Sequence, residues 1–406
     1  MIKTAVTAIA LLLSITDALA QVKDVPVFVS GTEGHKSYRI PAVIGLPNGA
    51  ILAFAEGRVH GAGDFGDINI VLKHSSDKGK TWTALQTVVD ADSLQAGNPA
   101  PVVDLTDPAY PQGRIFLFYN TGNNHEEEVR KGLGFREVWY KTSTDNGITW
   151  SDPVNITTQT HRPKLPQVNH AYNFPEDWRS YANTPGHAMQ FSSGKYKGRI
   201  FVAANHSAGD PQPRFADYQA HGFYTDDHGK TFQLGETVNL PGSNESMATE
   251  LYRNKLMMNS RNQKGDIRER IVSISSDGGA TWDTTYFDKN LPDPVNQGSI
   301  LTIGKKGARP NASPKDSFWR GSSGRRKNII AFCNAADTKS RDNLTLRISY
   351  DEGQTWKKNF VIAKSENDQR DYSAYSDIVN VSKKEIGILY EKEGYSKIVF
   401  TVVKWK

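Results

Sequence analysis

The side chains that could do chemistry in this sequence are arginines, carboxylates and tyrosines. Cys333 is the only cysteine, and the histidines are scattered without a His-Glu-x-x-His pattern or any other metal-ligand spacing. We therefore expect no catalytic metal and no cofactor, although the sequence leaves a structural Ca²⁺ open. Arginine offers planar, permanently charged donors suited to carboxylates, and a phenol becomes a nucleophile when a base takes its proton.

The balance of charge argues against a nucleic-acid-binding protein. Lysine and arginine number 49 against 44 aspartates and glutamates, and the chain has no dense basic run with interleaved aromatics. This small excess is compatible with an anionic small-molecule substrate but does not require one.

The first 20 residues have the form of a secretory signal peptide. Lys3 is followed by an apolar stretch from about Ala5 to Ile15 and by the small-residue ending Ala18-Leu19-Ala20, so cleavage is expected before Gln21. The apolar stretch is too short for a transmembrane anchor. The sequence predicts a secreted or periplasmic protein without a membrane anchor, and its single cysteine permits no intrachain disulfide.

A repeated eight-residue motif must position any reactive side chains, because it recurs along the whole chain. The pattern S-x-D-x-G-x-T-W occurs four times, and a fifth copy has Thr for Ser and Phe for Trp. The copies run over Ser75–Trp82, Ser143–Trp150, Thr225–Phe232, Ser275–Trp282 and Ser349–Trp356. Recurrence at blade-sized intervals is typical of an array of similar β units.

Each copy of the motif is predicted to be a hairpin turn. The aspartate can accept backbone N–H groups of its own turn, the glycine supplies positive φ, and the aromatic residue packs against neighbouring strands. Alternating or apolar runs such as Ile68–His74 precede the motifs. We therefore predict an all-β propeller, formed by residues 21–406 as one domain, with Asp24–Val29 beside the C-terminal strands.

At this point the sequence resembles a known family. The segment Tyr-Arg-Ile-Pro at residues 38–41, followed by the motifs, resembles the sialidases of glycoside hydrolase family 33 over essentially the whole mature chain. The resemblance implies a six-bladed propeller in which three arginines hold the carboxylate of sialic acid. The matching positions here are Arg39, Arg261 in Asn-Ser-Arg, and Arg341 in Arg-Asp-Asn-Leu-Thr.

The resemblance also implies a tyrosine nucleophile and a glutamate that activates it. Tyr375 lies in Ala-Tyr-Ser-Asp and matches the nucleophile, with Tyr372 as its competitor. A neutral phenol can approach beside the substrate's own carboxylate without like-charge repulsion, and sialidases are a known tyrosine exception among glycosidases. Glu250 matches the activating glutamate, and Glu245 competes with it less strongly.

Three further positions follow from the same resemblance. Asp64, in a glycine-rich loop six residues after Arg58, matches the general acid/base, and we favour it over Asp67. Arg58 is expected to contact hydroxyl groups of the sugar. Gln190, in Pro-Gly-His-Ala-Met-Gln, matches a glutamine near the substrate.

The family assignment implies an exo-α-sialidase, a retaining glycoside hydrolase acting as a monomer on sialylated glycans, glycoproteins or glycolipids. One alternative is a trans-sialidase, which adds a lectin-like domain that does not fit this chain. The other is a non-catalytic propeller that binds sialylated glycans. Such a protein would need the arginines but has no use for a nucleophile, base and acid, so the sequence favours the hydrolase.

Overall fold

β-Strands form nearly all of the regular structure in residues 23–306, 327–366 and 371–406, the ranges that the computed structural model describes. The predicted signal peptide, residues 1–20, lies outside these residues. Three short helical segments interrupt the strands: α1 (Glu126–Arg130), α2 (Thr157–Thr160) and a 3₁₀ turn (Pro213–Phe215). Within the described ranges, no helix has the length and apolarity needed to span a bilayer.

In the described ranges, the strands after β1 follow one another in six groups of three to five strands. After β1 (Val25–Val29), the first two groups are β2 (Ser37–Gly45), β3 (Ile51–Arg58), β4 (Ile68–Ser75) and β5 (Gln86–Val89), then β6 (Gln95–Asp104), β7 (Arg114–Gly122), β8 (Arg136–Ser143) and β9 (Val154–Asn155). The next two are β10 (Trp178–Asn183), β11 (Met189–Gln190), β12 (Ile200–Ala208), β13 (Tyr218–Thr225) and β14 (Gln233–Leu234), then β15 (Ser243–Glu250), β16 (Leu256–Asn262), β17 (Glu269–Ser275) and β18 (Thr284–Pro292). The last two are β19 (Gly298–Lys306), β20 (Lys327–Ala335), β21 (Leu344–Ser349) and β22 (Lys358–Ala363), then β23 (Ser373–Ser382), β24 (Glu385–Lys392) and β25 (Lys397–Lys404).

Within each group, neighbouring strands pair antiparallel. The first two groups are joined into one eight-stranded sheet by a single parallel bridge, between Ile68 and Gln95. In the last sheet the order is β1-β25-β24-β23, so the first described strand pairs with the last one. The expected position of Asp24–Val29 is thereby confirmed, and Asp24 also accepts hydrogen bonds from Tyr390 and Lys392.

The first strand of each group lies toward the centre of the molecule. β2, β6, β10, β15, β19 and β23 contact one another in that order, and β23 contacts β2 again. Apolar side chains fill the space between successive sheets, as with Phe118 of β7 against Phe223 of β13. The closed cycle identifies the fold as an all-β propeller, as the repeated motif predicts.

The repeated motif forms the same turn in all five copies. In the first, Asp77 accepts hydrogen bonds from the backbone N–H and the hydroxyl of Thr81 at 2.9 and 2.7 Å, and the Ser75 hydroxyl accepts the N–H of Gly79 at 2.8 Å. Gly79 has φ of 84°, and Lys78 before it is also left-handed, at 64°. The predicted roles of the aspartate and the glycine are confirmed. The left-handed residue before the glycine is an addition that the motif did not indicate.

Each motif glycine rests against a side chain of the preceding group of strands in the cycle, where each group is counted as one sheet. A Cβ atom at Gly79 would overlap Phe400, and a Cβ at Gly147 would lie 3.0 Å from Leu52. The remaining three glycines, 229, 279 and 353, approach Phe116, Phe201 and Met257 in the same way. We call these contacts the inter-sheet seams. The motif therefore closes its own hairpin and also joins its sheet to the one before it.

Candidate active site

A polar cleft with a cavity volume of about 200 Å³ opens at the centre of the strand cycle. Six of the eight residues singled out in the sequence line it: Arg39, Arg58, Asp64, Arg261, Arg341 and Tyr375. They come from β2, β3, β16 and β23 and from the loops before β4 and β21. Residues separated by as many as 336 positions are thus brought together. The other two, Glu250 and Gln190, lie elsewhere.

Tyr375 lies at the floor of the cleft, with 5 % of its surface exposed. Its hydroxyl donates to Oε1 of Glu245 at 2.6 Å and accepts a hydrogen bond from Nη1 of Arg261 at 2.8 Å. Burial raises the pKa of Tyr375 and the negative charge of Glu245 adds to this, while Arg261, Arg341 and Arg39 oppose it. The phenol is therefore neutral at rest and is aligned to give its proton to Glu245.

The prediction that Glu250 contacts Tyr375 is wrong, because Glu250 lies at the opposite end of β15. Its two oxygens accept hydrogen bonds from Ser192 and Ser193, with the hydroxyls at 2.6 and 2.7 Å. Five residues of extended chain span roughly 16 Å, so only one of Glu245 and Glu250 can reach Tyr375. Glu245 takes that position.

The hairpin register contains the signal that would have favoured Glu245. Glu250 is paired with Leu256 across the turn between β15 and β16. Counting five residues outward along each strand leads to Glu245 and Arg261, which form an ion pair at 2.6 Å. A β-bulge lies between Ser243 and Ser246, and bulges change the direction of side chains locally.

The three predicted arginines converge around the ring of Tyr375. Arg261 touches the hydroxyl directly, and the guanidinium carbons of Arg39 and Arg341 lie 5.4 and 5.5 Å from the ring centroid. Arg341 donates to the hydroxyl of Tyr395 at 3.0 Å. This arrangement concentrates positive charge above a neutral phenol and can bind a carboxylate through several charge-assisted hydrogen bonds.

Glu391 holds Arg39 in place and is a residue that sequence reasoning missed. Its buried carboxylate accepts Nε of Arg39 at 2.7 Å and the backbone N–H groups of Ile40 and Tyr375 at 2.9 and 3.1 Å. Ile40 has φ of 59°, which is strained for a β-branched residue. The carboxylate therefore fixes both the strained turn that aims Arg39 and the strand that carries Tyr375.

Asp64 lies at the rim of the cleft, and its side chain is 81 % exposed. Nη1 of the buried Arg58 is 2.7 Å from its Oδ1, and Glu56 holds the other side of the same guanidinium. Partial desolvation of the Asp64 carboxyl acts to raise its pKa. The positive charges of Arg58 and Arg39 outweigh this effect, so the pKa of Asp64 is lowered. Asp67 does not line the cleft and lies 3.7 Å from His60, which favours Asp64 as the candidate acid.

The predicted position of Gln190 near a substrate is wrong. Its Nε2 donates to Asp104 at 2.7 Å and to Thr106 at 3.0 Å, and its Oε1 accepts the N–H of Leu105 at 2.9 Å. These bonds tie the short strand β11 to the end of β6, outside the cleft. The polar groups of the amide are therefore used for packing between two sheets.

One cluster of side chains in the described ranges has the residue types of a metal site, and it lies in the same packing region between two sheets. The donor atoms of Asp104, Asp107 and His228 lie within 4.8 Å of one another. His228 is hydrogen-bonded to Asp104 at 2.7 Å, and Asp107 forms an ion pair with Arg114 at 3.0 Å. These partners already satisfy the carboxylates.

Comparison with known proteins gives a consistent family match. A family model described as a BNR repeat-like domain matches residues 49–387. A sialidase of Micromonospora viridifaciens is 31 % identical over 89 % of this chain and 51 % of its own length, and one of Bacteroides fragilis is 26 % identical over 93 % and 64 %. An exo-alpha-sialidase of Arthroderma benhamiae is 28 % identical over 89 % and 79 %. The chain thus spans about half to two thirds of the length of the first two relatives.

A solved structure shares the fold. A microbial sialidase named Hadza microbial sialidase Hz136 superposes with a TM-score of 0.73 over 94 % of this chain and 68 % of its own, at 22 % identity. At that level of identity the likeness concerns the fold alone. It agrees with the cycle of sheets described above.

Proposed function

The chain belongs to the family of BNR repeat-like domains, and from this membership and the geometry of the cleft we propose that it is an exo-α-sialidase. In this proposal it is a retaining glycoside hydrolase that removes terminal α-linked sialic acid from glycans, glycoproteins or glycolipids. The observation that carries the proposal is the contact of the Tyr375 hydroxyl with Glu245 and Arg261 inside a set of three arginines. The named sialidases among the relatives support the same class.

Substrate binding is proposed to depend on the arginines. The carboxylate of sialic acid is borne on the anomeric carbon, so binding it to Arg39, Arg261 and Arg341 places that carbon above Tyr375. Charge-assisted hydrogen bonds contribute about 1.5–3 kcal/mol each. Arg58, which is buried behind Asp64 in the cleft wall, is then proposed to lie beside the sugar's hydroxyl groups.

The first chemical step forms a covalent intermediate. The Tyr375 oxygen bonds to the anomeric carbon as its proton passes to Glu245, and the glycosidic carbon–oxygen bond breaks as Asp64 protonates the leaving oxygen. In the second step Asp64 takes a proton from water, the water oxygen bonds to the anomeric carbon, and Glu245 returns its proton to the departing phenolate. Two inversions give retention.

We interpret the sheets as six blades, with the eight-stranded sheet counted as two. The single bridge between Ile68 and Gln95 is the only pairing between the β2–β5 and β6–β9 halves among the described strands, and each half has the antiparallel order of a blade. Secretion after cleavage near Ala20, and a monomeric state, are further parts of the proposal. Secretion is supported by the sequence of residues 1–20.

The test is release of free sialic acid from 3′- and 6′-sialyllactose by the purified protein and by Tyr375→Phe. The wild type should release the sugar, first as the α anomer by NMR, and the variant should lose most turnover while remaining folded. A 2,3-difluoro sialic acid should label the peptide that contains Tyr375 in mass spectrometry. Absence of release rejects the function, an inverted first product rejects the covalent mechanism, and a label on Tyr372 moves the nucleophile.

A further inference from the structure

Gln95 and Arg136 lie on either side of Gly122 across three neighbouring strands. Gln95 of β6 is the partner of Gly122 of β7, and Gly122 is in turn the partner of Arg136 of β8. Gln95 and Arg136 both line the cleft. β6 stands opposite β19 in the cycle of central strands, so this wall faces the side from which Arg261 and Arg341 project. We call it the far wall.

Arg136 is a buried cation without an acidic partner. Only 5 % of its surface is exposed, and its Nη1 donates to two backbone carbonyls, of Asn124 at 3.0 Å and Phe135 at 3.4 Å. Among the described residues no carboxylate forms an ion pair with it, and no acceptor meets its Nε or Nη2. Burial lowers the pKa of this guanidinium, and the more distant carboxylates of Glu126 and Glu56 only partly oppose the shift. A buried charge without a partner costs free energy. A ligand that accepts hydrogen bonds from this guanidinium would supply the missing partner.

Gly122 makes the room that the guanidinium occupies. A Cβ atom at this position would overlap Nη1 of Arg136 and lie 2.7 Å from its Cζ. The backbone of Gly122 is not left-handed, so only the side-chain space requires glycine here. An alanine would push the end of a flexible side chain aside while leaving the strand intact.

The far wall also offers acceptors. Oε1 of Gln95 is buried and meets no donor in the described part of the chain. Oε1 of Glu126 accepts the hydroxyls of Tyr218 and Ser180, and its Oε2 has no described donor. A hydroxyl group both donates and accepts and therefore suits this wall. An N-acetyl substituent carries an N–H donor and a C=O acceptor near the ring but ends in a methyl group, and a methyl group against this wall would leave its polar groups without water or a partner.

We propose that Arg136, with Gln95 and Glu126, forms a specificity site for a hydroxyl-bearing substituent at the end of the substrate remote from its carboxylate. This inference rests on the proposed function. In the six-membered ring of a sialic acid, C5 lies opposite the carboxylate-bearing carbon. The substrate class favoured is thus a sialic acid with a hydroxyl at C5, either directly on the ring or within an N-glycolyl group, over the N-acetyl form.

The test compares kcat/KM for three 4-methylumbelliferyl glycosides, which carry N-acetyl, N-glycolyl or a plain hydroxyl at C5. The wild type should prefer at least one of the two hydroxyl-bearing substrates over the N-acetyl one. Comparing the N-glycolyl glycoside with the plain-hydroxyl glycoside then identifies which of the two is preferred. Arg136→Met should reduce that preference at least tenfold. Gly122→Ala should reduce it in the same direction, because it displaces the guanidinium without removing it.

Two controls separate specificity from general damage to the fold. Arg347→Met removes another buried arginine without an ion-pair partner among the described residues, away from the cleft. Gly304→Ala places a Cβ no closer than 3.8 Å to its neighbour. Both should leave the substrate ratios unchanged. A wild type that prefers the N-acetyl substrate, or a hydroxyl preference that survives Arg136→Met, overturns the proposal.

A binding measurement separates this inference from the proposed function. The 2,3-didehydro analogues of the same three sugars need no hydrolysis to bind, and calorimetry gives their Kd values for the wild type and Arg136→Met. Analogue binding with the hydroxyl preference, in the absence of any turnover, would reject the hydrolase and retain the specificity site. Turnover without the hydroxyl preference would support the hydrolase and reject the specificity site.

Discussion

The hydroxyl of Tyr375 donates a 2.6 Å hydrogen bond to the carboxylate of Glu245, a residue 130 positions away in the chain. The same carboxylate holds Arg261 at 2.6 Å. The base that would activate the phenol is therefore itself held by one of the residues that would bind the substrate. Occupation of the arginines by a substrate carboxylate and activation of the nucleophile are thus physically connected.

We expect Glu245→Gln to lower kcat by about 10²–10⁴, the range associated with loss of a general base. The amide preserves the size of the side chain but cannot take the proton of Tyr375. Glu250→Gln is the matched control, because it removes a carboxylate from the same strand outside the cleft. It should keep kcat near wild type and lower Tm modestly. Equal losses of kcat in both variants would contradict the assignment.

Arg39→Ala and Arg341→Ala should differ in stability although both weaken substrate binding. Removing Arg39 leaves the buried carboxylate of Glu391 unpaired, which is expected to cost about 3–5 kcal/mol. Arg341 is held by a tyrosine hydroxyl instead of a carboxylate, so its loss should change Tm far less. Thermal unfolding and kcat/KM, measured on both variants, check this. Similar Tm values would show that Glu391 does not depend on Arg39.

The contact between Arg58 and Asp64 predicts a pH dependence. The arginines lower the pKa of Asp64 in the free protein, and a general acid must be protonated to act. For a substrate with a poor leaving group, kcat/KM should therefore fall as pH rises, beginning at or below about pH 4, the usual pKa of an aspartate. Arg58→Gln should move this limb to higher pH. The Asp64→Asn variant should lose less activity toward an aryl glycoside, whose leaving group needs no proton, than toward a sialyllactose.

Gly79→Ala should destabilise the protein more than Gly49→Ala. Both glycines have left-handed backbones, with φ of 84° and 87°, so each alanine is expected to cost about 1–2 kcal/mol of backbone strain. A Cβ at position 79 would also overlap Phe400, whereas nothing lies within 4 Å of one at position 49. Denaturant unfolding should show the larger loss for Gly79→Ala. Equal losses would mean that the inter-sheet seam adds nothing to stability.

Much of the fold could be predicted from the sequence because the residues of the turn motif determine the local backbone geometry. The aspartate, glycine and threonine that form each turn are spelled out in order, and strands such as Ile68–Ser75 follow from the apolar run before them. The bridge that joins the first two groups of strands could not be predicted. It depends on one backbone pairing, between Ile68 and Gln95, with no side-chain pattern of its own.

The candidate site was predictable where a residue lies within a distinctive segment. Arg39 and Tyr375 are flanked by such segments, and both line the cleft. The family resemblance favours Glu250 over Glu245, whereas the hairpin register decides which carboxylate faces Arg261. Glu391 could not be found at all from sequence, since its role depends on contacts with β2 and β23 that only the closed ring brings together.

The inter-sheet seams and the cleft lie at opposite ends of the strands. On β8, Arg136 at the first residue lines the cleft and Ser143 at the last begins a turn motif, roughly 23 Å away at the rise of an extended chain. The residues that hold the ring together are therefore not those that select a ligand. A library that randomises the cleft-side loops could change substrate preference without touching the seams, and the same separation lets one ring be adapted to many glycans.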